Sequence, residues 1–222
     1  MHLFIVEGLH VADELRRKFG ETHTYDFCPA AAADLLPRLG AADVAFDLRD
    51  WPELHYEKPR QALFYNTTAR SLAQLFHNEE PPFGPVFGFC GLPTLIDRKL
   101  LEVSLFRPDD SIKLAEVCTA LGSDFRVVQD RVGMVTPRVI CMIINEACYT
   151  LQEGTASVKD IDLGMKLGTN YPHGPFAWAN AIGVSRVYET LENLYLDTHD
   201  ERYKVCPLLK TMYLRNESFE LG

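Results

Sequence analysis

The chain has 222 residues, 47% hydrophobic and 24% charged, with 14 Gly and 13 Pro, a composition of ordinary globular proteins rather than disordered or fibrous ones. That length allows one large domain or two small ones. With 22 Lys and Arg against 31 Asp and Glu the net charge is −9, and no basic run offers a footprint for a phosphate backbone, so no nucleic-acid partner is expected.

The longest apolar stretches, such as residues 139–144, fall far short of the roughly 20 residues a bilayer span needs, so no membrane association is expected. The start of the chain reaches the acidic Glu7 without a basic n-region or a small-residue cleavage site, which argues against a secretory signal. Six cysteines (Cys28, Cys90, Cys118, Cys141, Cys148 and Cys206) form no CxxC pair and read as reduced thiols of a cytoplasmic protein. The seven histidines do not cluster with them into a metal site.

Taken in chain order, residues 2–6 read as a buried strand, 11–19 as a helix closed by Gly20, and 22–27 as a second strand. A helix over 30–39 closed by Gly40, despite Pro37, precedes a strand at 43–48. Strands follow at 62–65, 86–89 and 101–106, with a helix over 69–76 between the first two. This β-α-β rhythm predicts a mostly parallel sheet covered by helices. Asp109 and Asp110 would cap a helix over 111–121, and 124–129 reads as one more strand. Beyond residue 130 the rhythm becomes helical. An apolar-rich helix spans 137–151; Ser157 and Asp160 form a capping-box pattern for a helix over 158–167 ended by Gly168; a proline-rich turn leads to 176–181; and 184–198 carries the longest amphipathic pattern.

Several strings in this order carry a resemblance. Asp130-Arg131-Val132-Gly133-Met134-Val135-Thr136-Pro137-Arg138 leads to Asn145-Glu146-Ala147 and Glu153-Gly154-Thr155-Ala156. Asp160-Ile161-Asp162-Leu163-Gly164 and Tyr171-Pro172-His173-Gly174-Pro175-Phe176 follow. Across roughly 80 residues they resemble the C-terminal helical domain of the 3-hydroxyacyl-CoA dehydrogenase family. Upstream, Ala62-Leu63-Phe64-Tyr65-Asn66-Thr67-Thr68 is similar to the family's strand ending in Ser-Asn-Thr-Ser. Phe87-Gly88-Phe89-Cys90-Gly91-Leu92-Pro93, with Leu101-Glu102-Val103 after it, resembles the family's Gly-x-His-Phe-Phe-Asn-Pro segment and its later Leu-Val-Glu-Val.

The resemblance implies an α/β fold: a reduced Rossmann-like parallel-sheet domain over 1–130, then an all-helical, 6-phosphogluconate-dehydrogenase-like domain over 131–222 that dimerises. It implies NAD as cofactor and oxidation of 3-hydroxyacyl-CoA in fatty-acid metabolism. Cys90 falls on the family's catalytic histidine and Glu102 on the glutamate that orients it, while Asn66 and Thr68 stand beside the substrate. Gly8, in the turn after the first strand, and Asp26, on the second, are the candidate cofactor contacts.

The departures bear on chemistry. Taking a proton from a secondary alcohol needs a base, which the family supplies as a His–Glu pair; a thiol next to an ionised glutamate is a poor one at neutral pH. The family's two asparagines fall on Pro93 and Pro137, which offer neither side-chain amide nor backbone donor. The stretch Val6-Glu7-Gly8-Leu9-His10-Val11 keeps a single glycine of the Gly-x-Gly-x-x-Gly fingerprint and adds an acid where phosphate would lie. The sequence therefore predicts a homodimeric family member whose own redox activity is weak or lost and whose NAD site is compromised. The alternative is a non-catalytic acyl-CoA-binding or assembly module.

Overall fold

The computed structural model describes residues 1–52 and 61–222, which fall into two units, Met1–Met134 and Val135–Gly222. The first opens with β1 (His2–Val6), an uninterrupted apolar run after His2, the pattern of a strand covered on both faces. A 3-10 turn at Leu9–Val11 leads into α1 (Ala12–Phe19), which buries Leu15 and Phe19, four residues apart, and stops at Gly20. Next come β2 (Thr24–Cys28), α2 (Leu35–Gly40) and β3 (Val44–Asp47). They are followed by β4 (Ala62–Asn66), α3 (Leu72–Leu75), β5 (Val86–Phe89), β6 (Leu100–Leu105), α4 (Ser111–Ala120) and β7 (Asp124–Val127).

Among the described residues, seven strands form one sheet in the order β2-β1-β3-β4-β5-β6-β7. Every pair is parallel except β5 with β6. The dinucleotide-binding order 3-2-1-4-5-6 places a further strand outside the second one; here β2 is the sheet's edge, which is where the domain is reduced. Side chains alternate across the sheet as the pleat requires. Leu3, Ile5, Phe46, Phe64 and Phe87 pack on one side with Leu15 and Phe19 of α1 and Leu114 and Val117 of α4. Phe4, Val6, Leu63 and Tyr65 pack on the other with Leu39 of α2 and Leu72 and Leu75 of α3. Phe46 and Phe64 stack across β3 and β4 at 4.8 Å between ring centroids, fixing their register.

Element ends differ from the sequence pattern where turn chemistry wins. The helix expected over 30–39 begins only at Leu35, because residues 29–35 are taken up by turns in which Ala32 donates to the Pro29 carbonyl and Leu35 to that of Ala32. Asp109 and Asp110 lie inside a 3-10 turn at Pro108–Asp110 and give α4 no side-chain cap. The helix expected over 69–76 shrinks to Leu72–Leu75, with Ser71 and Gln74 forming a capping box.

The second unit contains α5 (Thr136–Gln152), α6 (Val158–Thr169), α7 (Pro175–Ile182), α8 (Val184–Thr198) and α9 (Pro207–Arg215). The Ser157 hydroxyl caps α6 by accepting from the Asp160 N–H at 3.2 Å. That helix runs through Gly168 and ends at Asn170, whose φ of 56° supplies the left-handed residue, a role asparagine fills more readily than other non-glycine residues. Ile140, Ile144 and Cys148 of α5 are fully or nearly buried, as are Phe176 and Ile182 of α7 and Leu191 and Leu194 of α8. No described helix is long and apolar enough to cross a membrane.

Candidate active site at the carboxyl edge of the sheet

The parallel strands β1, β3, β4 and β5 end along one edge, where open α/β sheets place their ligands. Asn66 is the last residue of β4. Its Oδ1 accepts from the Thr68 hydroxyl at 2.8 Å and from the Gly91 N–H at 3.1 Å, and its Nδ2 donates to Asp50 Oδ1 at 3.1 Å. A Cβ on Gly91 would stand 2.9 Å from the Asn66 carboxamide carbon, so the glycine after Cys90 is what lets β5 close against that amide. Cys90 follows β5 directly, and the antiparallel register pairs Phe89 with Val103. Continuing that register sets Glu102 across from Cys90. The structure thus brings Asn66, Thr68, Cys90 and Glu102 to one place.

Their chemistry is inward-turned. Burial pushes the Cys90 thiol up to about 12; the Leu92 backbone and the Thr68 hydroxyl oppose the rise, and Glu102 adds to it. A thiol held there keeps its proton at neutral pH and takes none from a substrate alcohol. The Thr68 hydroxyl is turned to Asn66 and Cys90, and Thr68 is 1% exposed and Asn66 5%. Neither group reaches a ligand without rearrangement.

The two candidate cofactor contacts are placed apart from this cluster and from each other's role. Val6 is still strand, so the turn after β1 begins at Glu7, whose φ is 55°. Gly8 faces the core: a Cβ there would lie 2.1 Å from Ile5 Cγ2 and 3.2 Å from Leu48 Cδ1. Its lack of a side chain serves packing rather than approach of a ligand. Asp26 pairs with Phe4 in mid-strand and is held by the Arg38 guanidinium through both carboxylate oxygens. That hydrogen bonding is the main cause that lowers its pKa below the ordinary carboxylate value. These residues do not fit a dinucleotide, which needs glycines for close approach and a free acid at the end of the second strand.

Residues that pattern alone does not single out complete the framework. Asp130 accepts from the Leu72 and Ala73 N–H groups at 2.8 and 2.9 Å and from the Ser104 hydroxyl at 3.2 Å, so it caps α3 and ties it to β6. The Gly133 N–H donates to the Thr68 carbonyl at 2.8 Å, which anchors the end of the site strand. Asp47, the buried last residue of β3, and the half-buried Arg49 form a bidentate pair, with Nε to Oδ1 at 2.9 Å. Among the described residues no group of three or more His, Cys, Asp or Glu side chains is placed to hold a metal ion.

In the helical unit the motif residues do structural work. Asp162 accepts from the Phe176 and Ala177 N–H groups at 2.7 and 2.9 Å, capping α7. Gly174 is required there, since its Cβ would come 2.3 Å from the Asp162 carboxyl carbon. Asn145 bridges the segment before α9, donating to the Lys204 carbonyl and accepting from the Cys206 N–H at 2.9 and 2.8 Å. The Asp-x-x-x…Gly-Pro-Phe spacing is thus a helix-to-helix clamp, and a short-range acid followed by a Gly-Pro helix start is its sequence signal.

Comparison with known proteins gives this arrangement a lineage. Residues 133–219 match the family model of the 3-hydroxyacyl-CoA dehydrogenase C-terminal domain. The 3-hydroxyadipyl-CoA dehydrogenase of Escherichia coli K12 is 45% identical over 93 residues, which are 42% of this chain and 20% of that protein. The 3-hydroxybutyryl-CoA dehydrogenase of Bradyrhizobium diazoefficiens is 37% identical over 158 residues, 68% of this chain and 53% of that protein. The chain spans about half the length, or less, of these curated relatives. The crystal structure of (S)-3-hydroxybutyryl-CoA dehydrogenase from Ralstonia eutropha superposes with a TM-score of 0.71 at 21% identity, over 97% of this chain and 94% of that one, a likeness of fold. Residues 133–219 thus carry the C-terminal domain of 3-hydroxyacyl-CoA dehydrogenases, and the likeness to dehydrogenases of that kind reaches beyond it into the sheet unit.

Proposed function

We propose that this protein derives from NAD-linked dehydrogenases that oxidise 3-hydroxyacyl-CoA in fatty-acid metabolism and that its own redox activity is weak or lost. The observation that carries this reading is Cys90, buried across from Glu102 with its thiol pushed up to about 12, at the position the resemblance assigns to the catalytic histidine. Without an imidazole, Glu102 has no base to orient. The test follows NADH absorbance with NAD and 3-hydroxybutyryl-CoA, and no rate above the protein-free background is expected.

The second reading is a cytoplasmic binding or assembly module that is homodimeric through its helical unit. It is favoured by α6, none of whose residues is buried while Leu163 and Leu167 stand 51% and 74% exposed. Calorimetric titration with acetoacetyl-CoA separates its two forms. Saturable heat supports a retained acyl-CoA site; its absence leaves assembly as the role.

A further inference from the structure

We infer that the turn after β1 is plugged by the chain's own acid, so that neither NAD nor NADP enters the crevice that the fold would otherwise offer. Glu7 sits at a φ of 55°, a left-handed conformation that disfavours a non-glycine residue, in the turn where the dinucleotide fingerprint has its first glycine. Two hydrogen bonds hold it there: its N–H donates to the Cys28 carbonyl at 3.0 Å, and its Oε1 accepts from the Ala30 N–H at 2.7 Å. The carboxylate is therefore fixed beside this turn, against the backbone that follows β2, and adds a negative charge next to the phosphates the turn would have to receive.

The positive φ sets Glu7, rather than Gly8 as the sequence suggested, at the first glycine place, so the second falls on Leu9, 74% exposed at the start of the 3-10 turn. A side chain thus stands at a place where the fingerprint keeps the backbone bare for the pyrophosphate. The third place falls on Ala12, the first residue of α1. Gly8, turned to Ile5 and Leu48, cannot substitute for either. On the far side of the turn Asp26 is spent on Arg38, so no acid remains at that strand to receive a ribose hydroxyl. Negative charge, a side chain at a glycine place and an occupied acid act at three separate points of one dinucleotide.

This inference is independent of the redox reading, since an inert site could still hold its cofactor. Calorimetric titration with NADH is its test, on the wild type and on the double variant Glu7→Gly, Leu9→Gly. Glycine adopts the backbone of residue 7 without strain, and Leu9 is exposed, so the variant is expected to fold. No saturable heat is expected for the wild type, and at least tenfold tighter binding for the variant. Saturable NADH binding by the wild type would overturn the inference while leaving the redox reading standing if no turnover accompanies it. A folded double variant that binds no better than the wild type would overturn the assignment of the exclusion to Glu7 and Leu9. Should the variant not fold, Glu7→Gln with Leu9→Ala provides the same contrast.

Discussion

Cys90 keeps its proton because burial removes the water that would solvate a thiolate, and the same holds at other thiols of the chain. Burial pushes Cys118 up to about 11 and raises Cys148 and Cys206 as well. The sign of the pH dependence follows. An unfolded thiol titrates near ~8.5, so below that pH both states carry the proton and these groups contribute their full stability. Above it the unfolded chain loses protons that the folded one retains, and stability falls, by up to about 1.4 kcal/mol per pH unit for each such group. The thermal midpoint should stay level from pH 6 to 8 and drop beyond pH 9; a midpoint unchanged at pH 10.5 would contradict the burial assigned to these residues. Asp26 acts at the other end, its lowered pKa contributing stability that is lost as acid titrates it away from Arg38. Cys90 and Glu102 were legible as a pair because a motif carries them. The Glu7 bond to Ala30 and the Asp50 bond to Asn66 were not, since both join segments whose proximity exists only once strand order is set.

At the scale of elements, the strands β1 and β5 and the helix α8 coincide with their sequence patterns, because an unbroken apolar run or a long amphipathic stripe outweighs local turn preferences. The helices α2 and α3 are shorter than their patterns. Pro29 and the Ala-rich stretch after it are satisfied by turns, and Ser71 with its reciprocal Gln74 bond fixes a later start for α3. The helix α9 has little pattern of its own, its place set by Asn145 and the Cys206 backbone. The clamp between α6 and α7 gives a sharper expectation. Asp162→Ala removes both acceptors at the start of α7 and should cost about 1–2 kcal/mol in denaturant unfolding. Gly174→Ala drives a methyl against Asp162 side chain and backbone and should cost about 1–3 kcal/mol. Variants within ~0.3 kcal/mol of wild type would show that the motif serves something other than this junction.

For the whole molecule, the fold class was readable because the β-α-β rhythm and the helical motif strings are local features. Where that domain is reduced follows only from the strand order, which among the described residues sets β2 at the edge. The assembly reading makes its own expectation: sedimentation equilibrium should give twice the monomer mass, and Leu163→Lys with Leu167→Lys should return it to monomer mass without lowering helicity. A wild type that sediments as a monomer at tens of micromolar would remove homodimerisation. The central claim, a dehydrogenase fold without its own redox step, is tested most directly by NADH formation from NAD and 3-hydroxybutyryl-CoA at high protein concentration, with Glu102→Gln as control. The account predicts that wild type and Glu102→Gln are both indistinguishable from the protein-free background. A steady wild-type rate that Glu102→Gln abolishes would contradict it.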